Sequence, residues 1–116
     1  MKRYGWVIRL QAEKIEEYKR LHANAWPGVL RMIKACNIQN YSIYLRQLDD
    51  GQFYLFSYLE YVGSDFAADM AKMAADPETQ RWWAWMTPLQ EGWSGRAEGE
   101  WWHTLEEVFH TDGTQG

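Results

Sequence analysis

Ile38-Gln39-Asn40-Tyr41-Ser42-Ile43-Tyr44-Leu45-Arg46-Gln47-Leu48, then Asp49-Asp50-Gly51, then Gln52-Phe53-Tyr54-Leu55-Phe56-Ser57-Tyr58-Leu59-Glu60-Tyr61 is the stretch on which the fold turns. In the first run Tyr41, Ile43 and Leu45 alternate with Ser42, Tyr44 and Arg46, which is the two-residue period of a strand over 38–48. The run 52–61 is again rich in β-branched-compatible aromatics and reads as a second strand. Between them, Asp tolerates left-handed backbone and Gly adopts it without steric cost, so 49–51 closes a hairpin.

On each side of the hairpin the period changes to that of helices. Upstream, Val29, Leu30 and Ile33, supported by Met32, predict a helix over 27–36. Pro27 suits its first turn, and Cys36 is expected there as a small buried hydrophobe. Before it, residues 13–24 predict another helix, with Trp26 at the bend that Pro27 imposes. Downstream, Gly63-Ser64-Asp65 offers an N-cap to a helix marked by Phe66, Met70, Met73 and Ala74. Asp76-Pro77-Glu78 restarts a helix that runs to Met86 and stops at Pro88. Outermost, residues 4–10 alternate as a half-buried strand with Tyr4, Trp6, Ile8 and Leu10 on one side. Residues 89–99 read as a surface loop, residues 101–110 as a last strand, and residues 111–116 as a polar tail that frays.

The order is strand, helix pair, strand, strand, helix pair, strand, in a single domain over 1–110. That is an α+β chain of the ferredoxin-like βαββαβ class, an antiparallel sheet with helices on one face. All four expected strands carry large aromatics on both sides, including Tyr54, Phe56 and Tyr58. The bare sheet face therefore predicts a homodimer in which sheet packs on sheet.

Composition narrows the function classes. Sixteen acidic against twelve basic residues give a net charge of -4, without the basic patch that nucleic acid requires. No apolar run reaches the roughly 18 residues of a membrane span. Cys36 has no cysteine partner and the first residues run straight into a strand pattern, so a cytoplasmic protein is the expectation. Eight Trp and seven Tyr in 116 residues exceed what a core of this size needs, and both carbohydrate pockets and protein interfaces use such flat amphipathic surface.

The helix over 13–24 is where chemistry is concentrated. Tyr18, His22 and Trp26 are spaced i, i+4, i+8, one turn after Ile15, so an imidazole lies between two aromatics with polar tips. Read by itself, His22 is more often a hydrogen-bonded core histidine, and Trp82-Trp83 is as readily core as pocket wall. Adjacent helical positions point about 100° apart, so one of the two indoles can face a pocket while the other packs. His22, His103 and His110 lack zinc spacing, and His103 and His110 read as ordinary strand and tail residues. No nucleophile elbow and no Gly-rich loop after a strand is present.

Four separated runs, Glu17-Tyr18-Lys19-Arg20-Leu21-His22 with Trp26-Pro27, Asn40-Tyr41-Ser42-Ile43-Tyr44-Leu45, Gln80-Arg81-Trp82-Trp83 and Leu105-Glu106-Glu107-Val108-Phe109, resemble the L-rhamnose mutarotase family over nearly the whole chain. The resemblance implies a dimeric α/β barrel of ferredoxin-like protomers that interconverts the α and β anomers of a 6-deoxy-hexose. It implies that His22 is the proton donor and that Tyr18, Tyr41, Trp82 and Trp83 contact the sugar. L-rhamnose is the expected substrate, with L-fucose the next candidate. Residues 89–99 and the tail after Phe109 depart from the family pattern and bear on the rim of the pocket. Mutarotation needs one acid and one base, which an imidazole supplies, so no metal or organic cofactor is expected. A non-catalytic sugar-binding or interface module on the same dimeric scaffold is the alternative.

Overall fold

The computed structural model describes residues 1–113. Strand β1 (Lys2–Leu10) leads through a 3-10 turn (Ala12–Lys14) into helix α1 (Ile15–Ala23) and helix α2 (Pro27–Ala35). Strands β2 (Ile38–Gln47) and β3 (Phe53–Tyr61) follow, then helices α3 (Phe66–Ala75) and α4 (Pro77–Met86). Two short strands, β4 (Gln90–Glu91) and β5 (His103–Leu105), complete the chain. The sheet is antiparallel in the order β2-β3-β1-β4, with β5 also pairing β1. The ferredoxin-like arrangement expected from the element order is thus the one observed.

Register explains which side chains face the helices. Ile8 lies opposite Leu55, and Leu45 lies opposite the same Leu55 from the other side, so these three share one face. They pack with Leu10, Tyr18, Val29, Trp82, Met86 and Leu89 in the main core. A second cluster, Cys36, Ile38, Leu59, Tyr61 and Met73, lies towards the other end of β3. Cys36 is fully buried there, its Sγ 3.5 Å from the sulfur of Met32.

Helix boundaries follow local chemistry. Trp26 is extended at ψ 133°, as a residue before proline prefers, so α1 ends at Ala23 and α2 starts afresh at Pro27. Trp26 therefore leaves the row of Tyr18 and His22 and packs edge-on against Trp82. Asp65 caps α3 by accepting from the amide of Ala68. Asp76 ends α3 and caps α4, accepting from both the amide and the hydroxyl of Thr79 at 2.9 Å. Those bonds hold its carboxyl below the usual range. With that start fixed, Thr79, Trp82 and Met86 form the i, i+3, i+7 stripe that α4 buries.

Two readings of the sequence are corrected. The segment expected to be a surface loop, 89–99, begins with Leu89 and Gln90 buried and with Gln90 paired to Leu10. The expected last strand over 101–110 is only His103–Leu105. The physical reason is that the place beside β1 is filled twice: Gln90–Glu91 pairs the Leu10 end and His103–Leu105 pairs Gly5 to Val7. Residues 92–102 leave the sheet between these two pairings. Glu100 fixes the excursion by accepting from the Ala97 amide at 2.8 Å and contacting His103 Nδ1 at 2.8 Å. After Leu105 the chain stays near β1 through side chains, with Arg3 donating to Glu107, and Val108 and Phe109 are exposed. Of the tail expected over 111–116, residues 111–113 are exposed and residues 114–116 lie outside the described residues.

Candidate active site

Five side chains singled out in the sequence, Tyr18, His22, Tyr41, Trp82 and Trp83, line one cavity of about 400 Å³ between the helices and the inner sheet face. That volume is within the usual range for small-molecule sites. Each arrives from a different local cause. Tyr18 and His22 are one turn apart on α1, and their rings stack with centroids 4.0 Å apart. Trp82 meets the edge of His22 at 5.2 Å and is nearly buried by the α4 stripe. Trp83, about 100° further round, also borders the cavity but remains 42% exposed, so both indoles face the hollow and only one belongs to the core.

Tyr41 reaches the cavity because β2 carries a bulge. Gln39 pairs with Glu60 and Ser42 with Tyr58, leaving one extra residue on β2. Asn40 absorbs it with a φ of 49°, a backbone region that Asn enters more easily than most residues. Its amide is held by the carboxylate of Glu60 at 2.7 Å. The bulge lets Ile38, Tyr41 and Ile43 all face inward. Although Tyr41 is 41% exposed as a residue, its phenol oxygen is desolvated, which raises its pKa.

The state of His22 follows from one contact. Its Nδ1 lies 2.8 Å from the carbonyl oxygen of Tyr18, and a carbonyl only accepts, so Nδ1 carries the proton. Burial lowers the pKa of the ring, an effect that the bond to the carbonyl only partly offsets. The imidazole is therefore neutral near pH 7, with the lone pair on Nε2 and no hydrogen bond to that nitrogen from the described residues. Tyr18 is the complement. Burial, and then the neighbouring Tyr41, raise its pKa far above neutrality, against a hydrogen bond from the side chain of Gln90. The phenol stays protonated and remains a donor.

Several lining residues had not been anticipated. Gln90 donates towards Tyr18 and accepts from the indole N–H of Trp101 at 2.9 Å. Trp101 and Trp102 are carried to the cavity by the 92–102 excursion, and Trp6 and Ser57 supply its floor from β1 and β3. Signals existed for three of these. Trp101-Trp102 is a second adjacent indole pair, and Ser57 interrupts the apolar inward row Leu55, Leu59, Tyr61. Gln90 gave none, since a glutamine after Pro88 resembles any loop residue. Among the described residues no group of three or more His, Cys, Asp or Glu is placed to hold a metal.

A family model described as L-rhamnose mutarotase matches residues 3–111. The chain belongs to the L-rhamnose mutarotase family. A relative named L-rhamnose mutarotase from Bacillus subtilis is 36% identical over 112 residues, 97% of this chain and 100% of that one. Another of the same name from Shouchella clausii is 34% identical over 110 residues, 95% of this chain and 98% of that one. The crystal structure of an L-rhamnose mutarotase from Formosa agariphila superposes with a TM-score of 0.72 at 21% identity, over 97% of this chain and 100% of that one. At that identity the superposition speaks for the fold, and the sequence relatives for membership. Within the mutarotase family fold, this chain places a neutral imidazole, a protonated phenol and a set of indoles around one hollow.

Proposed function

We propose that this protein is an isomerase that interconverts the α and β anomers of L-rhamnose without a cofactor, with His22 transferring the proton. The observation that carries the reading is the 2.8 Å contact from His22 Nδ1 to the Tyr18 carbonyl, which leaves an unprotonated Nε2 at a sugar-sized cavity. In mutarotation the proton on the anomeric hydroxyl O1 is removed, the bond from C1 to the ring oxygen O5 breaks, C1=O1 forms, and O5 takes a proton. O1 and O5 are bonded to the same carbon, so one nitrogen can accept from the first and deliver to the second. The carbonyl then turns about C1–C2 and recloses by the reverse path. Tyr18, held as a phenol, donates to a sugar oxygen. Tyr41, Trp82 and Trp83 contact the ring, the indole faces covering its C–H and methyl surface.

Positioned acid-base catalysis supplies about 10²- to 10⁴-fold, which suits a reaction that already proceeds in water. The test is magnetisation exchange between the anomeric proton signals of L-rhamnose. The protein is expected to accelerate it, and a folded His22→Ala variant to lose that factor. Unchanged exchange in His22→Ala overturns the role of His22, and a protein that only shifts or broadens the signals is a binding module. L-rhamnose is ranked ahead of L-fucose on the names of the relatives, and side-by-side exchange rates decide between them.

We also infer a homodimer formed by the outer sheet face. Tyr44 is 64% exposed there, opposite the half-buried Phe56, and sheet-on-sheet packing covers both. A single domain over 1–110 carries this function. The free thiol of Cys36 accords with a reducing, cytoplasmic compartment, and no helix among the described residues is long and apolar enough to cross a membrane.

A further inference from the structure

Ser57 is 95% withdrawn from solvent at 5% exposure, and its Oγ is the buried side-chain polar atom that finds no hydrogen-bond partner among the described residues. It is not in an ordinary core position. Ser57 lines the same cavity as Tyr18, His22 and Trp82. It stands on the inner face of β3, opposite Trp6 on β1 and Ile43 on β2, so the floor around it is apolar. A β-branched apolar residue would suit such a central strand position better. A buried hydroxyl without a partner is unfavourable, and structures keep few of them. A serine hydroxyl offers one donor and two acceptor positions, which is also what a sugar hydroxyl offers and needs.

We propose that the Ser57 hydroxyl pairs with a secondary ring hydroxyl of the bound sugar and so helps to decide which 6-deoxy-hexose the site accepts. The proposal rests on reading the cavity as a sugar site. The reacting oxygens are served by groups on α1, whereas Ser57 rises from the sheet. A hydroxyl in the wrong orientation would leave Ser57 unpaired on the apolar floor it shares with Trp6 and Ile43, and a site built to pair a hydroxyl discriminates strongly for that reason.

The experiment titrates the intrinsic tryptophan fluorescence of the full-length protein with L-rhamnose and with its 2-, 3- and 4-deoxy derivatives, and measures anomer exchange in parallel. Ser57→Ala removes the hydroxyl, and Ser57→Cys keeps near-native volume with a much weaker hydrogen-bonding group, so a folding failure of one leaves the other. The variants are expected to melt like the native protein, since Ser57 Oγ has no protein partner to lose. L-rhamnose binding should weaken about 5- to 50-fold. For one of the deoxy sugars, the one lacking the paired hydroxyl, variant and native protein should bind alike. Native-like affinity for L-rhamnose in the variants, or equal weakening for all three deoxy sugars, overturns the proposal.

Sugar binding with the Ser57 pattern but no accelerated exchange removes the mutarotase reading and keeps Ser57. Accelerated exchange with a native KM in the variants removes Ser57 and keeps the mutarotase, and a native protein that binds none of these sugars removes both.

Discussion

Replacing Trp82 and Trp83 one at a time by alanine should separate stability from binding at two adjacent positions. Trp82 is 7% exposed and belongs to the main core, touching the rings of His22 and Trp26 edge-on at 5.2 Å each. A buried aromatic removes roughly 150–250 Å² from water, worth about 4–6 kcal/mol at about 25 cal/mol per Å². Buried Trp→Ala changes cost about 3–5 kcal/mol, so about 4 kcal/mol is expected for Trp82→Ala. With an unfolding entropy of about 2.1 cal/mol/K per residue, that lowers Tm by about 15 °C in a chain of this length. Trp83 borders the cavity but is far less enclosed, so Trp83→Ala should cost about 1 kcal/mol and mainly weaken sugar binding, by about 10-fold. Urea unfolding followed by circular dichroism gives the first quantity and sugar titration the second. Equal losses of stability in the two variants, or a larger loss for Trp83→Ala, would refute the division between core indole and cavity indole.

Four further outcomes follow from the geometry. Because burial lowers the pKa of His22, kcat/KM should hold as pH falls through 6.5 and decline only below it, as Nε2 becomes protonated; an acid limb at or above 6.5 would contradict a desolvated ring. The same shift sets a sign for stability: below 6.5 the unfolded chain takes up a proton on His22 before the folded one does, so this contribution to stability falls with pH, as pH-dependent melts can test. Asn40→Val forces a β-branched residue to a φ of 49° and should destabilise by about 1–3 kcal/mol, whereas Asn40→Gly keeps that backbone; equal melting temperatures for the two would show that the bulge carries no strain. Tyr44→Glu places a charge on the exposed outer face of the sheet and should sediment as a monomer, with an unchanged far-UV spectrum, where the native protein is expected to sediment as the inferred dimer; a monomeric native protein or an unshifted variant would overturn an outer-face dimer.

Much of this protein was legible in the residue order, because the responsible physics is local. Alternation over β1 to β3, the Pro27 and Pro77 starts, and the caps at Asp65 and Asp76 each depend on a few neighbouring residues, and the structure shows each of them. The pairing of Tyr18 with His22 is of the same kind, since helical spacing alone puts their rings within contact.

Tertiary structure decided the rest. Which nitrogen of His22 bears the proton depends on a carbonyl distance, and its lowered pKa on the packing that desolvates it. The fourth strand is split because β1 offers an edge that two separate segments can pair, a competition between distant stretches that period counting does not register. Gln90, Trp101 and Ser57 meet around the cavity only once that edge is filled and the 92–102 excursion is folded over it. Local spacing therefore specified the elements as far as Met86, including the helix that carries the imidazole. The cavity's floor, its rim and the protonation state of its histidine were decided by contacts between residues far apart in the chain, whose formation depends on the assembled sheet.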